Sequence, residues 1–300
     1  MRRVLITGGT GFFGKSILDY RLRHPELMSN AEIVILSRNP RNFSREFPKL
    51  ANQRGISFIA GDVRDFTVTG RFDTVIHAAT AAVTTLSDYE MYSTIVDGAR
   101  HVLEVAKGCG TQRLLFTSSG AVYGPKTEAV DETVATNPIT AYGRGKLAAE
   151  KMCVDSGLQT KIARCYAFVG PYLNRRIHFA IGNFIQNCLD NEPIVIKGDG
   201  TPLRSYLYAD DLVEWLFAIL ERGETGRPYN VGSPEGLSIR EVAETVRTVL
   251  GTNNEIQILG TPTNKRTSVY IPKVNRAISE LELNIKTTLC DAIQRSAAAV

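Results

Sequence analysis

Residues 1–22 read MRRVLITGGTGFFGKSILDYRL. Residues 4–7 are a short β-branched and apolar run, and Gly8, Gly9, Gly11 and Gly14 follow it directly. Ile17, Leu18 and Leu22 then fall at helical spacing. Strand, glycine turn and helix in that order are the setting of a dinucleotide site. There Gly8 permits the tight turn, Gly11 lets a pyrophosphate approach the backbone, and Gly14 lets the helix pack close to the sheet. The helix amino terminus offers N–H groups and a partial positive charge to the phosphates. The spacing is Gly-x-x-Gly-x-x-Gly, which departs from the commoner G-x-G-x-x-G.

Outward from this stretch, strands alternate with helices. Strands are predicted at 4–7, 32–36, 57–60, 74–77, 113–117 and 161–165, and helices at 15–23, 89–107 and 141–155, with a weaker helix at 44–53. That order predicts an α/β fold, a Rossmann-like, doubly wound parallel sheet covered on both faces. After residue 165 loops rich in Gly, Pro and Arg take over, with helices predicted at 180–191, 210–221, 239–250 and 285–299. We expect a dinucleotide-binding domain of 1–165 plus about 206–235. About 166–205 and 236–300 then form a smaller, discontinuous substrate-binding part.

Composition sets bounds. The chain has 300 residues, 43% of them hydrophobic, and a net charge of +4 spread along its length. This suggests neither a nucleic-acid nor a membrane partner. The apolar run after Arg2 and Arg3 is too short for a signal peptide and reads as a first strand. Cys109, Cys153, Cys165, Cys188 and Cys290 are scattered without metal-ligand spacing. They read mostly as reduced core residues of a cytoplasmic protein, and no metal site is expected.

The chemistry is carried by TAYGRGK, residues 140–146. On a helix Tyr142 and Lys146 share a face, and a cation beside a phenol lowers its pKa toward a value useful for proton transfer. Upstream lies the pair Ser118 and Ser119. With these residues the chain resembles an extended short-chain dehydrogenase/reductase of the NAD-dependent epimerase/dehydratase family, the nucleotide-sugar-modifying enzymes. Seven segments carry the resemblance in order: TGGTGFFG (7–14), GDVRD (61–65), HAAT (77–80), FTSSGAVYG (116–124), YGRGK (142–146), GDGTPLRSYLYADDL (198–212) and YNVGS (229–233).

The resemblance implies roles. Ser119 is the active-site serine, whose hydroxyl bonds the reacting oxygen. Tyr142 is the proton donor or acceptor, and Lys146 holds the nicotinamide ribose. Gly8, Thr10, Gly11, Phe12, Phe13 and Gly14 form the cofactor loop. Asp62 and Val63 meet the adenine, and Ala78, Ala79 and Thr80 close the cofactor site. Tyr123 either lines the sugar pocket or packs at the strand end. Arg204 and Arg266 match phosphate-contacting positions, with Arg175 or Arg176 as additions. The 228–231 strand and the helix before it should return to the main sheet. A homodimer through the 89–107 and 141–155 helices is implied as well.

The end of the second strand bears on the cofactor. NAD sites usually place an acid there for the ribose hydroxyls. In EIVILSRNPRNF (32–43) Ser37 stands at that place, followed by Arg38 and Arg41. A hydroxyl and a guanidinium suit a 2′-phosphate. NADP(H) is therefore favoured, with NAD(H) as the alternative if the arginines are only loop charges facing water. Two departures narrow the reaction. Nucleotide-sugar dehydratases carry an Asp-Glu pair directly after the catalytic hydroxyl residue, where this chain has Gly120 and Ala121. The epimerases commonly have Asn in Arg-Tyr-Phe-Asn-Pro-x-Gly, where this chain has Ala167 in its 164–171 segment. The expectation is an NADPH-dependent reductase of a 4-keto-6-deoxy nucleotide sugar. The alternatives are a 4-epimerase with bound NAD, a reductase of a non-nucleotide ketone, and a non-catalytic NADP-sensing protein.

Overall fold

The computed structural model describes residues 2–80, 86–177, 179–261 and 267–298. The chain begins with β1 (Arg3–Thr7), α1 (Phe12–Arg23), β2 (Glu32–Ser37), α2 (Pro40–Glu46), α3 (Pro48–Ala51), β3 (Ile56–Ala60) and β4 (Thr74–His77). It continues through α4 (Asp88–Gly108), β5 (Arg113–Ser119), a 3₁₀ turn at Gly120–Tyr123, α5 (Ala141–Asp155) and β6 (Gln159–Cys165). Next come β7 (Phe168–Val169), α6 (Ala180–Leu189), β8 (Ile194–Ile196), β9 (Leu203–Arg204), β10 (Leu207–Tyr208), α7 (Ala209–Arg222) and β11 (Pro228–Val231). Last are β12 (Leu237–Ser238), α8 (Ile239–Val249), β13 (Ile256–Ile258), β14 (Val269–Tyr270), α9 (Asn275–Leu281) and α10 (Leu289–Ala298).

Seven strands form one parallel sheet in the order β11-β6-β5-β4-β1-β2-β3, so the 228–231 strand does join the main sheet. Strands β1, β2, β4 and β5 are buried over nearly their whole length because the sheet is covered on both faces. On one face Leu5, Val34, Val75, Leu114 and Phe116 pack with Ile95, Ala99, Val102 and Leu103 of α4 and with Ala149 and Cys153 of α5. Each fully buried Leu, Val, Ile or Phe among them contributes about 1.5–3 kcal/mol. Strand order reverses between β1 and β4, and in open α/β sheets ligands bind beyond the carboxyl ends of the strands at such a switch point.

Helix starts follow local chemistry. A reciprocal Ser87–Glu90 capping box begins α4, and Thr140 caps α5 by accepting from the Gly143 amide at 3.0 Å. The single weak helix expected at 44–53 is two short helices. Pro48 has no N–H to continue α2 and instead opens α3 at its first position. The last helix begins at Leu289 and not at 285, because Asp211 accepts from the amides of Lys286 and Thr287 and holds them outside it.

By contact density the chain divides into two units. One comprises Met1–Gly124, Thr136–Arg164 and Val213–Tyr229; the other comprises Pro125–Ala135, Cys165–Leu212 and Asn230–Val300. The first is built on the large sheet. The second carries the two- and three-stranded pairings of β7 with β10, β8 with β13, and β9 with β12 and β14. Within it α6 packs against α8, and Asn230 anchors the 125–135 segment by donating from its side chain to the Val130 carbonyl. The five cysteines form no disulfide; Cys153, Cys165 and Cys188 are buried, and Cys290 is exposed.

Candidate active site

Gly8 has φ +76°, and a Cβ there would lie 2.6 Å from the Ala78 backbone and the Ala79 nitrogen. Only glycine tolerates both the positive φ and that approach. The glycine loop therefore rests directly on the segment after β4, at the switch point. Ala78 donates its amide to Thr7 O at 3.0 Å, and the Ala79 amide reaches the Thr7 hydroxyl at 3.4 Å. Thr80 follows in the described chain; residues 81–85 lie outside it. A Cβ on Gly14 would fall 2.2 Å from Gly9 Cα, so this glycine brings the helix onto the loop itself. Gly11 is exposed, its built Cβ meets only Gly8 O at 3.3 Å, and it supplies no side chain to cap α1. Phe12 and Phe13 open the helix with their rings edge to face, 5.9 Å apart, and Thr10 beside them is partly exposed. An uncapped helix start over a bare glycine backbone fits a dinucleotide pyrophosphate.

At the end of β2, Ser37 is buried and its hydroxyl accepts from the Asn39 amide at 3.2 Å. Arg38 and Arg41 are exposed. Asp62, just past β3, is ion-paired with Arg64 at 2.7 Å. That bond, aided by the Arg38 charge, holds its carboxyl below the usual range. The Val63 side chain turns inward against Gly98 of α4, where a Cβ would lie 2.9 Å from it.

Ser119 ends β5, is 4% exposed, and caps the 3₁₀ turn by accepting from the Ala121 amide at 3.2 Å. Helix α5 packs on β5 and on this turn. The close approach is at Gly143, where a Cβ would fall 2.7 Å from Ala121 O. Tyr142, half-buried, is therefore delivered beside the turn by its neighbour's lack of a side chain. One turn further, Lys146 is 2% exposed and donates to Thr117 O at 2.8 Å. Its ammonium lies 5.1 Å from the centre of the Phe116 ring and 5.8 Å from that of Tyr142. The tyrosine, the lysine and the strand end bearing the serine thus belong to one assembly within the first unit. His77 is fully buried with Nδ1 2.7 Å from the Thr7 hydroxyl; burial, and then the Lys146 charge, push its pKa down to about 3.

Beneath the turn is a polar network that the sequence did not announce. Arg164 of β6 donates from Nε to Glu150 Oε1 at 3.0 Å and from Nη2 to Oε2 at 2.8 Å, and both side chains are under 10% exposed. Arg164 Nη1 also donates to the Tyr123 hydroxyl at 2.9 Å, and Ser118 Oγ donates to Glu150 Oε1. Tyr123 is 1% exposed. The signal was present in principle: an arginine inside the predicted 161–165 strand is costly to bury without a carboxylate.

The remaining residues singled out for substrate belong to the second unit. Arg204 of β9 is partly exposed, donates to the carbonyls of Leu203 at 2.8 Å and Ser268 at 3.3 Å, and lies 6.0 Å from the Tyr270 ring centre. Arg175 donates to Ser296 O, and Arg176 pairs with Asp190 at 3.5 Å. Both thus serve contacts within their own unit. Arg266 lies outside the described residues.

The model of the NAD dependent epimerase/dehydratase family matches residues 4–232. UDP-glucuronic acid decarboxylase 6 of Arabidopsis thaliana is 31% identical over 282 residues, spanning 88% of this chain and 79% of the plant protein. Among solved structures, UDP-glucuronic acid 4-epimerase from Bacillus cereus in complex with UDP-glucuronic acid and NAD superposes with a TM-score of 0.85. Its identity is 23%, covering 99% of this chain and 98% of that one. A UDP-galactose 4-epimerase gives a TM-score of 0.81 at 25% identity, again over 99% and 98% of the chains.

Proposed function

The chain belongs to the NAD-dependent epimerase/dehydratase family, and on that premise we propose that it is an NADPH-dependent reductase of a 4-keto-6-deoxy nucleotide sugar. That it modifies a nucleotide sugar is supported by relatives and structural neighbours that decarboxylate, epimerise or dehydrate such compounds. The observation that carries the reduction is the site's own composition. Ser119, Tyr142 and Lys146 are assembled on β5 and α5, while Gly120 and Ala121 put no ionisable group on the turn beside them. Such a site can pass one proton to an oxygen; the acid/base pair needed to eliminate water is missing from that turn.

The glycine loop, Ser37, Arg38, Asp62 and Lys146 hold the cofactor, which when bound supplies the hydride. Ser119 donates a hydrogen bond to the substrate carbonyl oxygen and so polarises the carbon that is reduced. Tyr142 gives its phenolic proton to that oxygen as it becomes an alcohol. Lys146, fixed on Thr117 O, keeps a positive charge beside the phenol and stabilises the phenolate left behind. Ser37 in place of an acid, with Arg38 next to it, favours NADPH. A freely exchanging NADPH suits net reduction, whereas an epimerase returns the hydride to the same sugar and has no need to release its cofactor.

The second reading is a 4-epimerase with bound NAD, favoured by the NAD held in the similar epimerase structures. We also infer a homodimer through α4 and α5, where Tyr89 and Val154 are exposed apolar residues, and a cytoplasmic location suited to unbridged cysteines. No described helix is long and apolar enough to cross a membrane. The deciding experiment incubates purified protein with 4-keto-6-deoxy nucleotide sugars and each reduced cofactor, then with the parent nucleotide hexoses. We expect NADPH consumption with formation of the 6-deoxy alcohol. Loss of water from a parent hexose at a comparable rate, or tightly copurifying NAD with inversion at C4, overturns the reductase.

A further inference from the structure

Glu150 lies four residues beyond Lys146 and eight beyond Tyr142, so the three share one face of α5. Its carboxylate is held on two sides: by the Arg164 fork from β6 and by the Ser118 hydroxyl from β5. Arg164 spends its third contact on Tyr123 at 2.9 Å. Ser118 and Tyr123 bracket residues 119–122, in which Ser119 caps the 3₁₀ turn. The ion pair therefore grips the turn that bears the serine at both ends, and the helix that bears the tyrosine and lysine from below. A cavity of about 600 Å³ on this side of α5 is lined by Glu150 and Arg164 and by none of Ser119, Tyr142 or Lys146. The pair thus stands behind the reacting groups.

We infer that Glu150 and Arg164 are positioning residues for the reaction, fixing the separation and roll of Ser119 against Tyr142 through the Ser118 and Tyr123 hydroxyls. The inference rests on the assignment of Ser119, Tyr142 and Lys146 made above. A fold needs no ion pair at such a place, because two apolar side chains of matching volume stabilise a core as well or better. What apolar side chains cannot supply is direction. The forked guanidinium sets three donor lines at fixed angles, two ending on the Glu150 carboxylate of α5 and one on the Tyr123 hydroxyl of the turn. Lysine keeps the charge but not the fork.

The test compares wild type, Tyr123→Phe, Arg164→Lys and Tyr142→Phe in the 4-keto nucleotide sugar reduction, with thermal unfolding and hydrogen exchange of residues 118–124 measured on each. Tyr123→Phe removes one hydroxyl and retains the buried ring, so the protein should fold with a nearly unchanged melting temperature. We expect its kcat to fall ~10-fold at unchanged KM, since misplacing a reacting group slows the chemical step. Exchange at the Ala121 amide should rise. Arg164→Lys should lower kcat further and not restore it despite the retained charge. Should Arg164→Lys fail to fold, Tyr123→Phe alone decides. Wild-type kcat in Tyr123→Phe, with Tyr142→Phe inactive, overturns the positioning role and leaves the catalytic assignment standing. Near-native activity in Tyr142→Phe overturns both.

Discussion

Thr7 and His77 face each other across adjacent parallel strands, with the threonine hydroxyl 2.7 Å from the imidazole Nδ1. The hydroxyl also receives the Ala79 amide, so one buried contact ties the glycine loop's strand to the segment on which that loop rests. The imidazole is neutral here because burial and the neighbouring Lys146 charge hold its pKa near 3.

This sets a pH dependence of stability. Between about pH 3 and pH 6.5 the unfolded chain takes up a proton at residue 77 that the folded chain refuses, so the folded state weakens as pH falls through that window. The slope from this one group reaches ~1.4 kcal/mol per pH unit at most. Urea unfolding at pH 7 and pH 5 should show a smaller loss for His77→Asn than for wild type. Equal losses would mean that the imidazole is charged in the folded protein.

Tyr142→Phe should lower turnover by roughly the 10²–10⁴-fold of a positioned acid or base. The Lys146 contact to Thr117 O does not involve the phenol, so cofactor affinity should hold. Fluorescence titration of the cofactor beside steady-state rates separates the two quantities.

Arg38→Ala should weaken NADPH by about 1.5–3 kcal/mol, some ten- to a hundred-fold, and leave NADH nearly untouched. Ser37→Asp should go further and reverse the preference. A carboxylate there can still accept from the Asn39 amide as the serine hydroxyl does, while repelling a 2′-phosphate. Calorimetric titration of both cofactors reads this out. Equal losses for NADPH and NADH in Arg38→Ala would make that residue structural.

Helix α5 and strand β4 were legible to the residue from local pattern, whereas β11 was expected from the family resemblance. Helix α9 was missed because its seven residues bury only Ala277 and Leu281, too few to show a period. The true start of α10 was written as Thr288 and Asp291, a capping pair, which the expected start at 285 passed over. In the site, the tyrosine, lysine and serine proposed as catalytic came from motifs. Glu150 and Arg164 did not, because each by itself reads as an ordinary helix or strand charge and only the fold brings them together.

The order of the large sheet also bears on how a growing chain finishes folding. Strand β6 ends at Cys165, yet its outer neighbour β11 begins at Pro228. During synthesis at ~5–20 residues per second, the roughly 60 intervening residues keep that edge waiting for several seconds. An unpaired apolar strand edge is a template for other chains over that interval. Truncation before β11 should therefore yield aggregate, and a chaperone that shields β6 would find its moment between those two strands.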